Sequence, residues 1–341
     1  MALTVAPALP RQDFAELRAQ VKGAGLLRPR PWAFARALGL ALVALGLVCT
    51  AFGLAGVTWW QLVIAAVMGG VFTQLGFLGH EVGHHQVSRD PRVTAVLGCL
   101  LGNLGIGLGF GWWNEKHNAH HAHPNDEERD PDVRPGALVW VGKHAAERSG
   151  LARIVTRWQA VLFLPMLTLE GLSLHLNSVL ALRRRDGSVR WAELSGLALH
   201  LLVNVGLVLW LLPLGHAVAF LAVQQGVFGL YLGLAFAPNH KGMPTVTEDD
   251  PLDLLRSQVL TARNVRPGRV VDALLGGLNY QIEHHLFPSM PRSSLRRAQP
   301  LVRDFCRSRD VRYVETGLLA SYRLGLRHLH TVGLQARRRA A

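Results

Sequence analysis

Four long apolar runs constrain this chain more than any other feature: Ala37 to Val57, Trp60 to Gly79, Ala192 to Leu212 and His216 to Phe236. A helix needs roughly 20 apolar residues to cross the ~30 Å hydrocarbon core of a bilayer, and only a helix or a closed barrel satisfies its own backbone there. The links inside each pair are short and uncharged, Thr58-Trp59 in the first and Pro213-Leu214-Gly215 in the second. Such links predict tight hairpins whose turns lie on the side poor in Lys and Arg. The expected fold is an all-α integral membrane protein, with four transmembrane helices arranged as hairpins 37–79 and 192–236.

Composition supports this reading: of 341 residues, 50 % are hydrophobic and only 17 % charged. The formal charge of +13 invites nucleic acid as a partner, but the basic residues do not interleave with aromatics as a nucleic-acid face requires. They gather at the ends of apolar runs, as in Arg183-Arg184-Arg185, between Arg292 and Arg297, and in Arg337-Arg338-Arg339. That placement fits anchors beside anionic lipid, with a solvated tail as the plain reading of the last group. Cys49, Cys99 and Cys306 are far apart and form no zinc ribbon, redox pair or disulfide framework. Residues 1–36 read as a retained cytoplasmic N-terminal segment, 37–310 as one membrane domain, and 311–341 as a basic C-terminal tail.

Two weaker apolar runs remain, Val93 to Gly111 and Trp158 to Leu182. The first separates two groups of histidines. If those groups share one site, the run cannot cross once; it dips and returns, or lies along the interface. Its glycines, at 98, 102, 105, 107, 109 and 111, disfavour a straight spanning helix. The second run carries Glu170, His175 and Asn177, and an interfacial amphipathic helix is expected there. The sum is two hairpins with re-entrant or interfacial helices, and a helical cap on the cytoplasmic face that holds every histidine cluster.

The clusters have helical spacing. His80 and His84 stand at i, i+4; His117, His120 and His121 stand at i, i+3, i+4; Gln281, His284 and His285 repeat that spacing with glutamine first. Such residues project from one helix face. Asn239 and His240 follow the fourth apolar run. One structural zinc needs four ligands and one catalytic zinc about three, so these imidazoles exceed the demand of one ion. Two metals of about four or five protein ligands each would use them. Imidazole alone does not choose among iron, copper, zinc and nickel, but paired imidazole-held metals at the mouth of an apolar bundle point to dioxygen chemistry on a greasy substrate. A lone H-x-x-x-H is often accidental; three clusters, each at a membrane boundary, are not. The isolated His144, His175, His200, His216, His328 and His330 read as structural or interfacial, while His85 and His123 break the cluster spacing.

Together, "HEVGHHQ", "WWNEKHNAHHAHPNDEERDPD", "NH" and "NYQIEHHLFP" resemble the membrane fatty acid desaturases over about residues 40–310. The glutamine-initiated third box is similar to the front-end and acyl-lipid branch. The resemblance implies a di-iron centre, two iron ions held by His80, His84, His117, His120, His121, His240, Gln281, His284 and His285. It places Glu81, Asn118, Asn239 and Glu283 beside the ligands, where they orient imidazoles or a bound water. Asp130 and Asp132 would tie down their loop. Trp112 and Trp113 would line a substrate tunnel or anchor at the interface. The implied reaction introduces a cis double bond into an acyl chain carried on coenzyme A, acyl carrier protein or lipid, using O2 and two electrons. No H-P-G-G haem motif of a fused cytochrome b5 domain occurs, so the electrons are expected from a separate ferredoxin or cytochrome b5/flavoprotein reductase system.

Three rivals deserve weighing. A related di-iron hydroxylase or lipid oxygenase differs by one step, hydroxyl rebound in place of a second hydrogen removal. An intramembrane zinc metalloprotease is invited by His80-Glu81-Val82-Gly83-His84, an H-E-x-x-H match. It would use Glu81 as base and leave the second and third clusters without a task. A non-catalytic metal-binding or structural membrane protein is the third; loss of turnover in His121→Ala or His284→Ala, with the protein still accumulating in membranes, would exclude it.

Overall fold

The computed structural model describes residues 12–250 and 252–336. Its helices in chain order begin with α1 (Gln12–Gly23), α2 (Pro31–Leu54), α3 (Gln61–Gly83), α4 (Pro91–Gly98) and α5 (Phe110–Ala122). There follow α6 (Gly142–Ala146), α7 (Gly150–Leu167), α8 (Glu170–Ala181), α9 (Gly187–Leu201), α10 (Leu207–Leu211) and α11 (Leu214–His240). The C-terminal third holds α12 (Leu254–Leu260), α13 (Arg269–Leu274), α14 (Gln281–Leu286), α15 (Arg292–Ser308) and α16 (Leu318–Gln335). Two short strands, β1 (Asn264–Val265) and β2 (Glu315–Thr316), pair in parallel.

Four helices are long and apolar enough to cross a membrane: Pro31–Leu54, Gln61–Gly83, Gly187–Leu211 and Leu214–His240. They are the four expected spans, and two run further than the apolar runs do. The second continues to Gly83 and the fourth to His240, so His80 and His240 sit in helical last turns rather than in loops. Leu40, Val43 and Leu47 on α2 are each more than half exposed. Apolar side chains left outside the protein core on every turn are those a lipid solvent accepts.

The two weaker runs are broken helices. Pro91–Ile106 and Phe110–Ala122 meet at 107°, and Gly150–Leu167 and Glu170–Arg184 meet at 82°. Where one amphipathic helix was expected over 158–182, two occur. Pro165 lacks the N–H that would continue the ladder, and the Thr168 hydroxyl donates to the Pro165 carbonyl at 2.6 Å just before the bend.

Contacts divide the chain into two compact units. The first has its described residues within Met1–Arg28, Lys116–Leu164 and Ala235–Ala341; the second comprises Pro29–Glu115 and Pro165–Leu234.

The second unit is built from apolar helices that approach closely at glycine. A Cβ on Gly69 would lie 2.6 Å from the Gln224 carbonyl, and one on Gly229 would lie 2.6 Å from the Gly171 nitrogen. Small residues let membrane helices meet backbone to backbone where lipid gives no hydrophobic drive. A π-helical stretch, Cys99–Ile106, ends at Gly107 with φ +69°. The break frees carbonyls in an apolar setting, and side chains capture them. His200 Nδ1 lies 2.9 Å from the Leu104 carbonyl and His175 Nδ1 2.7 Å from that of Gly107. Both histidines thus have the structural role expected of isolated ones.

The first unit has an ordinary apolar core. Leu17 and Val21 of α1, Leu255 and Val259 of α12, Ile282 and Leu286 of α14, and Leu295 and Val302 of α15 are all nearly inaccessible in one cluster. Burying each such side chain contributes about 1.5–3 kcal/mol, and the cluster gives α14 a rigid back. Two terminal segments therefore differ from expectation. The N-terminal helix α1 is part of this core rather than a separate segment. Residues 315–335 form β2 and α16 instead of a tail, because Leu329 and Val332 recur on the helix face that is buried. Arg337, Arg338 and Arg339 lie outside the described residues.

Candidate metal centre

In the first unit, three separate segments deliver imidazoles. Helix α5 presents His117, His120 and His121 in its last two turns, α11 ends on His240, and α14 presents His284 and His285. All six are buried. The nitrogens of His120, His240 and His285 lie within 4.8 Å of one another, and so do those of His117, His121 and His284. The i, i+3, i+4 spacing thus divides between two neighbouring groups, with His120 in one and His117 and His121 in the other.

The first group is the more fully anchored. His120 Nδ1 lies 2.9 Å from Asp130 Oδ2, His240 Nδ1 lies 3.0 Å from the Thr261 carbonyl, and His285 Nδ1 lies 2.8 Å from Gln258 Oε1. Each of these oxygens accepts, so each Nδ1 carries the proton and donates. A neutral ring then has a bare lone pair on Nε2. Yet the Nε2 atoms of His240 and His285 are 3.0 Å apart. Two lone pairs at that distance repel unless a proton or a metal ion lies between them. In the second group, Nε2 of His117 and Nε2 of His121 lie 3.1 Å apart. The donor set, six converging imidazoles with His120, His240 and His285 fixed by oxygen, is compatible with a transition-metal site.

Gln281, also at ligand spacing, lies against His240 and Asn239. Its Nε2 donates to His240 Nε2 at 2.9 Å, while its Oε1 accepts from Asn239 Nδ2 at 3.1 Å. An amide ligates through oxygen, and that oxygen is engaged by Asn239. Asn239 is fully buried and also donates to the Ala235 carbonyl. Glu283 is fully buried, but it accepts from Asn264 Nδ2 and the Tyr313 hydroxyl, both at 2.7 Å, rather than from an imidazole. Asn264 in turn accepts from the Ile282 N–H, so Glu283 braces the backbone of α14. Burial raises the Glu283 carboxyl to about 7 against those hydrogen bonds. Asn118, one residue past His117, is exposed.

Asp130 does more than tie a loop. Besides His120, it accepts from the backbone N–H groups of Asn125 and Asp132. Asn125 has φ +55°, and its amide donates to the carbonyls of His240, Pro244 and Thr261. Neither Asn125 nor Gln258, Thr261 and Arg263 carries any spacing signature, and the sequence does not single them out. Gln258 also donates to the His121 carbonyl at 2.9 Å. For Asp132, burial opposes ionisation, but the charges of Lys116, His120 and Lys241 outweigh it and hold the carboxyl well below the usual range.

In the second unit, His80 lies in the last turn of α3 and His84 just beyond it, their rings 4.6 Å apart. Glu81 between them is buried. Trp113 lies edge-on to His80 at 5.7 Å, and a Cβ on Gly83 would lie 2.9 Å from its ring. Trp113 therefore packs on the end of α3. Trp112 is partly buried beside it in sequence.

Residues 57–317 match the family model described as "Fatty acid desaturase". The chain is 32 % identical over 317 residues to the "Delta(5) fatty acid desaturase fat-4" of Caenorhabditis elegans, covering 89 % of this chain and 70 % of the nematode protein. It is 30 % identical to an "Acyl-lipid (9-3)-desaturase" of Physcomitrium patens, over 76 % of this chain and 52 % of that one. A "Delta 8-(E)-sphingolipid desaturase" of Lachancea kluyveri is 29 % identical over 79 % of this chain and 51 % of its own length. The chain thus spans only about half of the moss and yeast relatives. With membrane-length helices, two buried imidazole groups and a matching family model over most of its length, the chain belongs to the fatty acid desaturase family.

Proposed function

We propose that this membrane oxidoreductase introduces a cis double bond into a fatty acyl chain with a pair of irons, using O2 and two electrons delivered by a separate redox protein. The observation that carries the metal reading is the convergence of Nε2 atoms whose Nδ1 partners are all acceptors, and the family resemblance supplies iron as the metal. Iron, when bound, supplies the oxidising power to break an unactivated C–H bond, which no acidic or basic side chain can do.

The residues that would hold it are His117, His120, His121, His240, His284 and His285, with His80 and His84 added by the sequence pattern. Asp130, the Thr261 carbonyl and Gln258 fix ring tautomer and direction for three of them. Gln281 and Asn239 form an amide pair against His240, a place suited to orienting that ring or a bound water. Holding ligands still matters because small misplacement of the reacting carbon costs rate steeply. The cytoplasmic side is supported by the basic residues flanking the spans. Exposed arginines such as Arg296 and Arg297 on α15 offer an acidic electron donor a complementary face.

A second reading, desaturation of a sphingolipid chain, is favoured by the yeast relative's name alone. Expressing the full chain in a host of known lipid composition and locating new unsaturation by mass spectrometry separates the two substrates, and would reveal a hydroxylated product instead. Metal analysis of the purified chain is the companion test. Two irons per chain are expected; one zinc and no iron would sink the reading and revive the metalloprotease.

A further inference from the structure

Arg263 is 1 % exposed, among the most deeply buried large side chains of the described residues. Its partners are carbonyls and one hydroxyl, not carboxylates. Nε donates to the Pro238 carbonyl and to Ser321 Oγ, both at 2.6 Å; Nη2 donates to the Lys241 carbonyl at 2.5 Å and the Ser321 carbonyl at 3.1 Å. Its backbone N–H donates to the Asn239 carbonyl at 2.9 Å. The His240 carbonyl accepts from Asn125 at 3.3 Å. Four consecutive carbonyls at the end of α11, from Pro238 to Lys241, are thus held from outside the helix, three of them by Arg263.

A helix ends with carbonyls that lack intrahelical partners, and a cation there also meets the negative end of the helix dipole. This end is weaker than most. Pro238, two residues before His240, has no N–H, so the last turn lacks one of its own rungs. A buried guanidinium with no counter-charge is costly to desolvate, and a plain cap would not need one. Only a planar fork reaches both sides of the turn at once; a lysine ammonium cannot span the Pro238 and Lys241 carbonyls together.

We propose that Arg263 is a positioning residue for His240. It clamps the last turn of α11 against Ser321 of α16, and so keeps His240 Nε2 beside His285 Nε2. The inference rests on the iron reading given above. It makes α16 part of the support of the metal site.

The test uses the purified full chain and reads iron per chain together with the rate of iron loss to a chelator. The wild type is expected to hold two irons. Arg263→Lys is expected to weaken one of them about 10- to 100-fold, the range seen when an outer partner of a ligand is lost, and to leave the other unchanged. His240→Ala should show the same single loss, and the double variant no further loss. Two irons released at the wild-type rate in Arg263→Lys overturn the inference alone. Additive losses in the double variant, which a general packing defect would give, also overturn it. Should Arg263→Lys fail to accumulate in membranes, Ser321→Ala decides. It removes one hydroxyl shared by Arg263 and the Pro238 carbonyl, and about 10-fold faster release of one iron is expected; an unchanged rate overturns the inference. A wild type without iron is a different result, which sinks the iron reading and this inference with it.

Discussion

Both units bury histidines whose Nδ1 atoms are fastened to oxygen, and the two sets do different things. In the second unit, His175 and His200 bond the Gly107 and Leu104 carbonyls, and Nε2 of His175 lies 3.1 Å from the Gln225 amide. Both rings close a broken helix, and that of His175 ends on a protein group at each nitrogen. In the first unit, the same kind of anchor on His240 and His285 leaves Nε2 facing Nε2. Burial and a bonded Nδ1 therefore do not mark a metal ligand. What sets the first unit's rings apart is that their second nitrogens converge on one another.

The comparison breaks most readily at His285. His285→Ala should reduce new double bonds by more than about 100-fold and lower iron per chain, while the protein still accumulates in membranes; product formation near the wild-type level would mean that the convergence is accidental. Asp130→Asn comes next, because it weakens the acceptor of His120 and the loop amides together. Iron affinity should fall about 10- to 100-fold, measured by competition with a chelator. His200→Leu sharpens the contrast from the other side. It strands the Leu104 carbonyl, a loss of about 1–3 kcal/mol of stability, seen as a lower thermal midpoint with the iron content of the folded fraction unchanged. Loss of iron in that variant would erase the distinction between the two sets. The smallest effect belongs to Glu81→Gln, for which a drop in product of less than about 10-fold is expected. A protease base would not tolerate that change, so a loss of several orders of magnitude would favour the H-E-x-x-H reading.

Much of this was legible in the chain itself. Apolar runs of spanning length place α2, α3, α9 and α11, since a bilayer demands length and apolarity and little else. Helical spacing marks His117, His120 and His121, because neighbours on one helix face are set by local geometry. The fate of Gln281 was not legible. Its spacing is that of a ligand, and its oxygen also accepts from Asn239, 42 positions earlier, a contact that spacing does not record. The same holds for the folded segment after residue 311, whose basic composition hides a helix that packs through Leu329 and Val332.

By itself, then, the amino-acid order determined the membrane-length helices and the helical spacing of the histidines within each cluster, because each depends on periodicity within one segment. Only the tertiary structure decided that Asp130, the Thr261 carbonyl and Gln258 meet Nδ1 of His120, His240 and His285, and that Asn125 and Arg263 bond the carbonyls at the end of α11. Such partners act through single hydrogen bonds between segments far apart in the chain, many of them to backbone carbonyls that every residue carries. Local spacing holds no record of such bonds.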